Sequence, residues 1–164
     1  MGNPFGGSVW QDRGAWASLC TPDGCPICTG GKPDDVIVEL PASWVTGPEV
    51  APLPGYVAVV SKRHVVEPFE LPVPERTAFW EDAMVAAKAL AQAFRPIKVN
   101  YEIHGNTVPH LHMHLYPRAP GDPFVGGPIN PRSALFRRSA ADLGRIRDAI
   151  LAARHADSRR AHLE

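Results

Sequence analysis

The chain of 164 residues has little sulfur, no net charge and no long apolar run. Three cysteines are an odd number, which argues against a disulfide framework and suits a reducing compartment. Lysine plus arginine equals aspartate plus glutamate at 17 each, so the broad positive field that grips DNA or RNA is missing. A local positive pocket for phosphate remains compatible with that balance. No stretch approaches the ~18 consecutive apolar residues of a bilayer span. The start, Met-Gly-Asn-Pro-Phe, lacks the basic residues and apolar run of a secretory signal. Internal repeats are missing too. These absences predict a soluble, cytoplasmic protein with neither a nucleic-acid nor a membrane partner. What is present is apolar content of 45%, enough for a core without staples, in a length that suits one domain.

Residues 1–30 are rich in Gly, Pro, Asp and Thr and read as an N-terminal arm. Residues 31–120 read as the core. Residues 121–164 read as a Pro/Gly-rich loop and a C-terminal helix of the same domain. Within the core, residues 35–40 predict a strand and residues 43–46 its hairpin partner across Pro41-Ala42. Residues 56–60 are apolar and β-branched, as in a buried strand. Pro74-Glu75 opens a helix in which Phe79, Ala83, Met84, Ala87, Leu90, Ala91 and Phe94 recur at helical spacing, and Arg95-Pro96 stops it. Residues 97–103 alternate as a strand does, and residues 104–109 connect it to the next strand as a hairpin. Residues 117–131 read as a long loop of the kind that covers a site. Ser139 and Asp142 form a capping box before Leu143, Ile146 and Ile150. The late arginines (Arg132, Arg137, Arg138, Arg145, Arg147, Arg154, Arg159 and Arg160) read as a solvated helix face and tail.

The chemistry sits in Pro109-His-Leu-His-Met-His-Leu-Tyr-Pro-Arg118. Of seven histidines in the chain, three occupy alternate positions: His110, His112 and His114. Leu111, Met113 and Leu115 lie between them. Alternation with period two puts imidazoles on one face of a strand and apolar side chains on the other. Neutral imidazoles in a row can act as a nucleophile, as metal ligands or as both. A histidine attacking phosphorus needs one unprotonated, aimed nitrogen and an acceptor holding the other. It also needs donors for charge building on phosphate oxygens, and the loop Gly105-Asn-Thr-Val can present them. His104, in the same loop, reads as a solvated residue.

This run resembles the His-x-His-x-His motif of the histidine-triad (HIT) family. The resemblance extends to Gly105-Asn-Thr-Val upstream, Pro117-Arg118 downstream and Pro54-Gly-Tyr-Val-Ala-Val-Val-Ser-Lys-Arg-His64. It implies an α+β fold: a curved antiparallel sheet of about five strands with one long helix packed on it and a C-terminal helix. By resemblance, His112 is the nucleophile that forms a covalent nucleotidyl-histidine on an α-phosphate. His114 bonds a phosphate oxygen or the leaving group, and His110 supports the site. Asn106 and Thr107 match phosphate-contacting positions, and Asn100 a further one, one residue short in spacing. Family members usually form homodimers.

Cys25-Pro-Ile-Cys28 is a knuckle of the kind that bites a tetrahedral Zn²⁺. A redox pair or two ordinary loop thiols are the other readings of the same spacing. The resemblance implies His64 and His110 as the remaining ligands, making the zinc structural because four protein ligands leave no open position. Cys20 reads as a small, partly buried thiol. The whole predicts a nucleotide phosphohydrolase or nucleotidyl transferase acting on small molecules such as diadenosine polyphosphates. An AMP-phosphoramidase-type hydrolase, a non-catalytic nucleotide-binding protein and a zinc hydrolase are the alternatives. Trp44, Tyr56 and Phe124 are candidate walls for a purine, but each reads first as core or loop packing. Base and leaving-group preference are not legible.

Overall fold

The computed structural model describes residues 9–161. The first eight residues of the arm lie outside them. A five-stranded sheet runs in the order β1-β2-β4-β6-β5. Its strands are β1 (Val36–Glu39), β2 (Ser43–Thr46), β4 (Val57–Ser61), β6 (His112–Arg118) and β5 (Lys98–Glu102), and every neighbouring pair is antiparallel. Each falls where apolar alternation or a β-branched run predicts it. The fold is the α+β architecture expected from the sequence.

The pairing sorts side chains onto two faces. Val45, Val59 and Met113 stand in register across β2, β4 and β6. With Val57, Leu111 and Leu115 they face the main core, each 1% exposed or less. Helix α3 (Val73–Phe94) covers this face with Phe79, Ala83, Ala86, Ala87 and Leu90. Pro74 costs it nothing, since first-turn N–H groups have no helical partner. Buried Asp82 fastens α3 to the β1–β2 turn by accepting from Ala42 N at 2.9 Å and Ser43 Oγ at 2.8 Å. Helix α4 (Ala140–Ala161) adds Ile146, Ile150 and Ala153 to the same core. Its capping box forms: Ser139 N donates to Asp142 Oδ2 at 2.9 Å, and Asp142 N donates to Ser139 Oγ at 3.1 Å.

The other face carries Tyr56, Ala58, Val60, His112, His114 and Tyr116. A smaller apolar cluster of Ala51, Leu53, Tyr56, Ala58, Tyr116 and Ile129 covers part of it, with Phe124 packed alongside. Gly55 lets the chain enter β4 tightly there. A Cβ at this position would lie 2.9 Å from Phe94 Cδ2 and 3.0 Å from Pro117 Cγ.

Two features depart from the sequence reading. The arm is partly helical: α1 (Arg13–Leu19) is capped by the Asp12 carboxylate, which accepts from Gly14 N and Ala15 N at 2.9 Å each, and Pro26–Thr29 forms a single turn, α2. Arg138 is not part of a solvated face. It is 3% exposed and donates to the carbonyls of Pro48, Pro54 and Tyr56. A guanidinium satisfied by backbone carbonyls can be buried without a carboxylate. It sits beside a two-stranded ribbon of β3 (Val50–Ala51) and β7 (Phe136–Arg137), which is too short for periodicity to reveal.

Candidate active site and metal centre

Strand β6 delivers His112 and His114 to the second face, opposite Val60 and Ala58 on β4. The His112 ring donates from Nδ1 to the His110 carbonyl at 2.7 Å. That bond fixes the tautomer and leaves Nε2 with a lone pair. Burial holds the His112 pKa below the ordinary imidazole value against the bond to His110, and nearby His104 lowers it further. His114 is held down to about 3, chiefly by burial and then by the two neighbouring histidines. Both rings are therefore neutral near neutral pH. They meet edge to face with centroids 4.8 Å apart.

Tyr56 partners the second imidazole. Its hydroxyl lies 2.9 Å from His114 Nδ1. Burial pushes the phenol pKa up, so the hydroxyl stays protonated and is able to donate to that nitrogen. When it donates, His114 carries its proton on Nε2 and is a hydrogen-bond donor there.

His112 and His114 line a cleft of about 430 Å³. The loop of residues 104–108 forms one wall and residues 128–132 the other. Asn106 and Thr107 line it, as expected. Gly105, at φ 68°, turns the chain there. Asn100 stands on the histidine face opposite Tyr116 but is not part of the cleft lining. Arg132, read from the sequence as part of a solvated face, contributes a cation to the rim. The loop of residues 119–131 is held in place at several points. Arg118 grips Asp122 with two bonds of 2.7 Å and donates to Phe124 O, while Tyr116 Oη donates to Ile129 O at 3.2 Å. Trp44 lies on β2 opposite Val60, and Phe124 packs in the smaller cluster.

His104, read from the sequence as a solvated loop residue, is exposed. It lines the cleft, with its ring centroid 5.9 Å from that of His114. Its Nε2 is 2.9 Å from Glu102 Oε2. Glu102 faces His114 across the β5–β6 ladder and also accepts from Ile129 N at 3.0 Å. The signal was there: in a hairpin running into the histidine strand, Glu102 shares its face with the imidazoles.

His110 precedes β6 and is 1% exposed. Cys25, Cys28, His64 and His110 bring one donor atom each to within 4.8 Å of one another. Cys25 Sγ–His110 Nδ1 and Cys28 Sγ–His64 Nδ1 are 3.4 Å, and Cys28 Sγ–His110 Nδ1 is 3.6 Å. The two Nδ1 atoms are 3.2 Å apart. The edges of a tetrahedral Cys₂His₂ zinc site come to roughly 3.5 Å for S···N and 3.3 Å for N···N from its bond lengths. Tautomers agree. His110 donates Nε2–H to Ser61 O at 2.7 Å, and His64 donates Nε2–H to Cys20 O at 2.9 Å. Both Nδ1 atoms then hold lone pairs that face each other, an arrangement a cation between them relieves. Backbone carbonyls on the far ring nitrogens are the usual support for metal-bound imidazoles. Cys20 supplies that carbonyl and is outside the ligand set.

The sheet, the covering helix and the histidine strand define a class, and sequence comparison agrees with it. The HIT domain family matches residues 29–121, more than half of the chain, and the protein belongs to that family. Solved structures share the fold. A histidine triad protein of Sinorhizobium meliloti is 25% identical, with a TM-score of 0.60 over 71% of this chain and 87% of that one. One from Bradyrhizobium japonicum is 24% identical, with a TM-score of 0.60 over the same shares, 71% and 87%. A zinc-bound histidine triad family protein of Mycobacterium smegmatis is 20% identical, with a TM-score of 0.59 over 83% and 99% of the two chains. No curated protein matches the chain.

Proposed function

We propose that the protein is a nucleotide hydrolase or nucleotidyl transferase in which His112 attacks the α-phosphorus of a nucleoside phosphate derivative. The observation that carries this is the 2.7 Å bond from His112 Nδ1 to the His110 carbonyl, in a ring that lines the cleft. A neutral imidazole with its second nitrogen fixed is a prepared nucleophile. Nε2 bonds to phosphorus, and the bond from phosphorus to the leaving group breaks. Water, or another acceptor, then displaces His112 from the nucleotidyl group. His114 Nε2–H, Asn106, Thr107 and Arg132 surround the space where charge on the phosphate oxygens develops. Asn100 is assigned a supporting place on the same face. Diadenosine polyphosphates are the first substrates to try, with AMP-phosphoramidate as the comparison.

Cys25, Cys28, His64 and His110 would hold Zn²⁺. With four protein ligands the ion has no place for water and supplies structure. Two copies of the chain would assemble as a homodimer, and the enzyme would work in the cytoplasm.

The test is turnover of these substrates, followed as AMP release, with His112→Asn run beside the wild type. Expected are a loss of roughly a thousandfold or more in kcat and an acid-labile adenylylated wild-type protein. No turnover of any substrate, with tight AMP binding, would make the chain a nucleotide-binding protein instead.

A further inference from the structure

The cleft holds a histidine that the nucleophilic mechanism leaves unused. His104 Nε2 faces a carboxylate, Glu102 Oε2, at 2.9 Å. The Glu102 side chain is 13% exposed and that of His104 30%, so the carboxylate is sheltered while His104 stays open to solvent and lines the cleft. Two constraints place it, one from the sheet and one from a loop. Glu102 is locked opposite His114 by the β5–β6 register, and its carboxylate also accepts from Ile129 N at 3.0 Å. The wall that carries His104 and the wall that carries Ile129 are thus joined through one side chain. A carboxylate against one imidazole nitrogen holds the N–H on that nitrogen and fixes the orientation of the ring. The other nitrogen, Nδ1, is then left to exchange a proton with whatever occupies the cleft.

We propose that His104, polarised by Glu102, is the acid and base that serves the leaving group and the incoming water in the reaction at His112. The proposal rests on the nucleotidyl-transfer reading above. In the first step the His112 Nε2–P bond forms and the bond from phosphorus to the leaving atom breaks. The leaving atom takes the electron pair together with a proton from His104. In the second step the oxygen of water bonds to phosphorus, and the P–N bond returns its pair to His112. The proton of that water passes to His104 and restores its charge. Glu102 keeps its negative charge throughout and acts as a positioning residue.

Leaving groups of different basicity test this. A nitrophenolate departs without a proton, whereas an amine or alkoxide does not. Adenosine 5′-(p-nitrophenyl phosphate) and an adenosine 5′-phosphoramidate with an alkylamine are the paired probes. For His104→Ala, kcat/KM on the amidate is expected to fall about a hundredfold or more, while on the nitrophenyl ester it changes no more than about threefold. Glu102→Gln keeps an acceptor for Ile129 N but loses the charge, and should show the same asymmetry in weaker form. An equal fall on both probes would give His104 a structural role and overturn the proposal, as would no fall on either. Wild type inactive on both probes would remove the nucleotidyl-transfer reading itself, and the assignment of His104 with it.

Discussion

At the scale of one side chain, the Tyr56 hydroxyl is the hydrogen-bond partner of His114 Nδ1. Phenylalanine at this position preserves the stacked ring contacts with His114 and Tyr116, whose centroids lie 5.9 and 5.1 Å away. It removes only the hydroxyl partner of Nδ1. Tyr56→Phe should therefore lower kcat about tenfold, by freeing the tautomer, while costing only about 1 kcal/mol of stability. Steady-state kinetics and urea melts on the same preparation separate the two effects. The residues of the triad were readable because alternation is a property of neighbours in sequence. Tyr56 reads as packing ahead of a purine wall, and its hydrogen bond spans 58 positions, which no local pattern encodes. His104 reads as a solvated loop residue and is exposed, but its place on the cleft wall needs β6 and the loop of residues 128–132, which no local pattern shows.

At the scale of elements, the Arg118–Asp122 pair anchors the start of the loop of residues 119–131. Arg118 beside it holds the Asp122 carboxyl at about 2, below its ordinary 3.8. A depressed carboxyl contributes stability above its unfolded value and loses it as pH falls through the folded one. The clamp is accordingly complete above pH 3.8 and fails towards pH 2. Asp122→Asn removes it at every pH, and loss of a bidentate charged pair of about 2 kcal/mol raises loop opening roughly thirtyfold. Pepsin cleavage within residues 119–131 should be fast in the variant at pH 4 to 5 and reach that rate in the wild type only at lower pH. Cleavage at equal rates across this range would show that the pair does not anchor the loop. Long elements such as α3 and β6 were legible from periodicity. Helix α1 was not, because its seven residues offer about two turns and no clear apolar stripe. Nor was the β3–β7 ribbon, whose two-residue strands give alternation nothing to repeat.

At the scale of the whole molecule, the Cys₂His₂ cluster joins three distant stretches of chain: the arm at Cys25 and Cys28, the segment after β4 at His64, and the start of the histidine strand at His110. The knuckle was visible in sequence as two cysteines, whereas the histidines came from resemblance, since 36 and 82 positions separate them from Cys28. Protein purified without added metal should carry about one zinc per chain by elemental analysis. Cys28→Ser or chelation should lower Tm by about 10 °C, if the ion contributes about 4 kcal/mol. A metal-free wild-type preparation with an unchanged melt would remove zinc from the structure. One peptide unit makes this more than a matter of thermal endurance. The ring of His110 looks towards the thiols, while its carbonyl oxygen, two bonds beyond the same Cα, receives the proton that keeps His112 aimed. Whatever disturbs the ring of His110 therefore reaches the aim of His112 through that one residue's backbone.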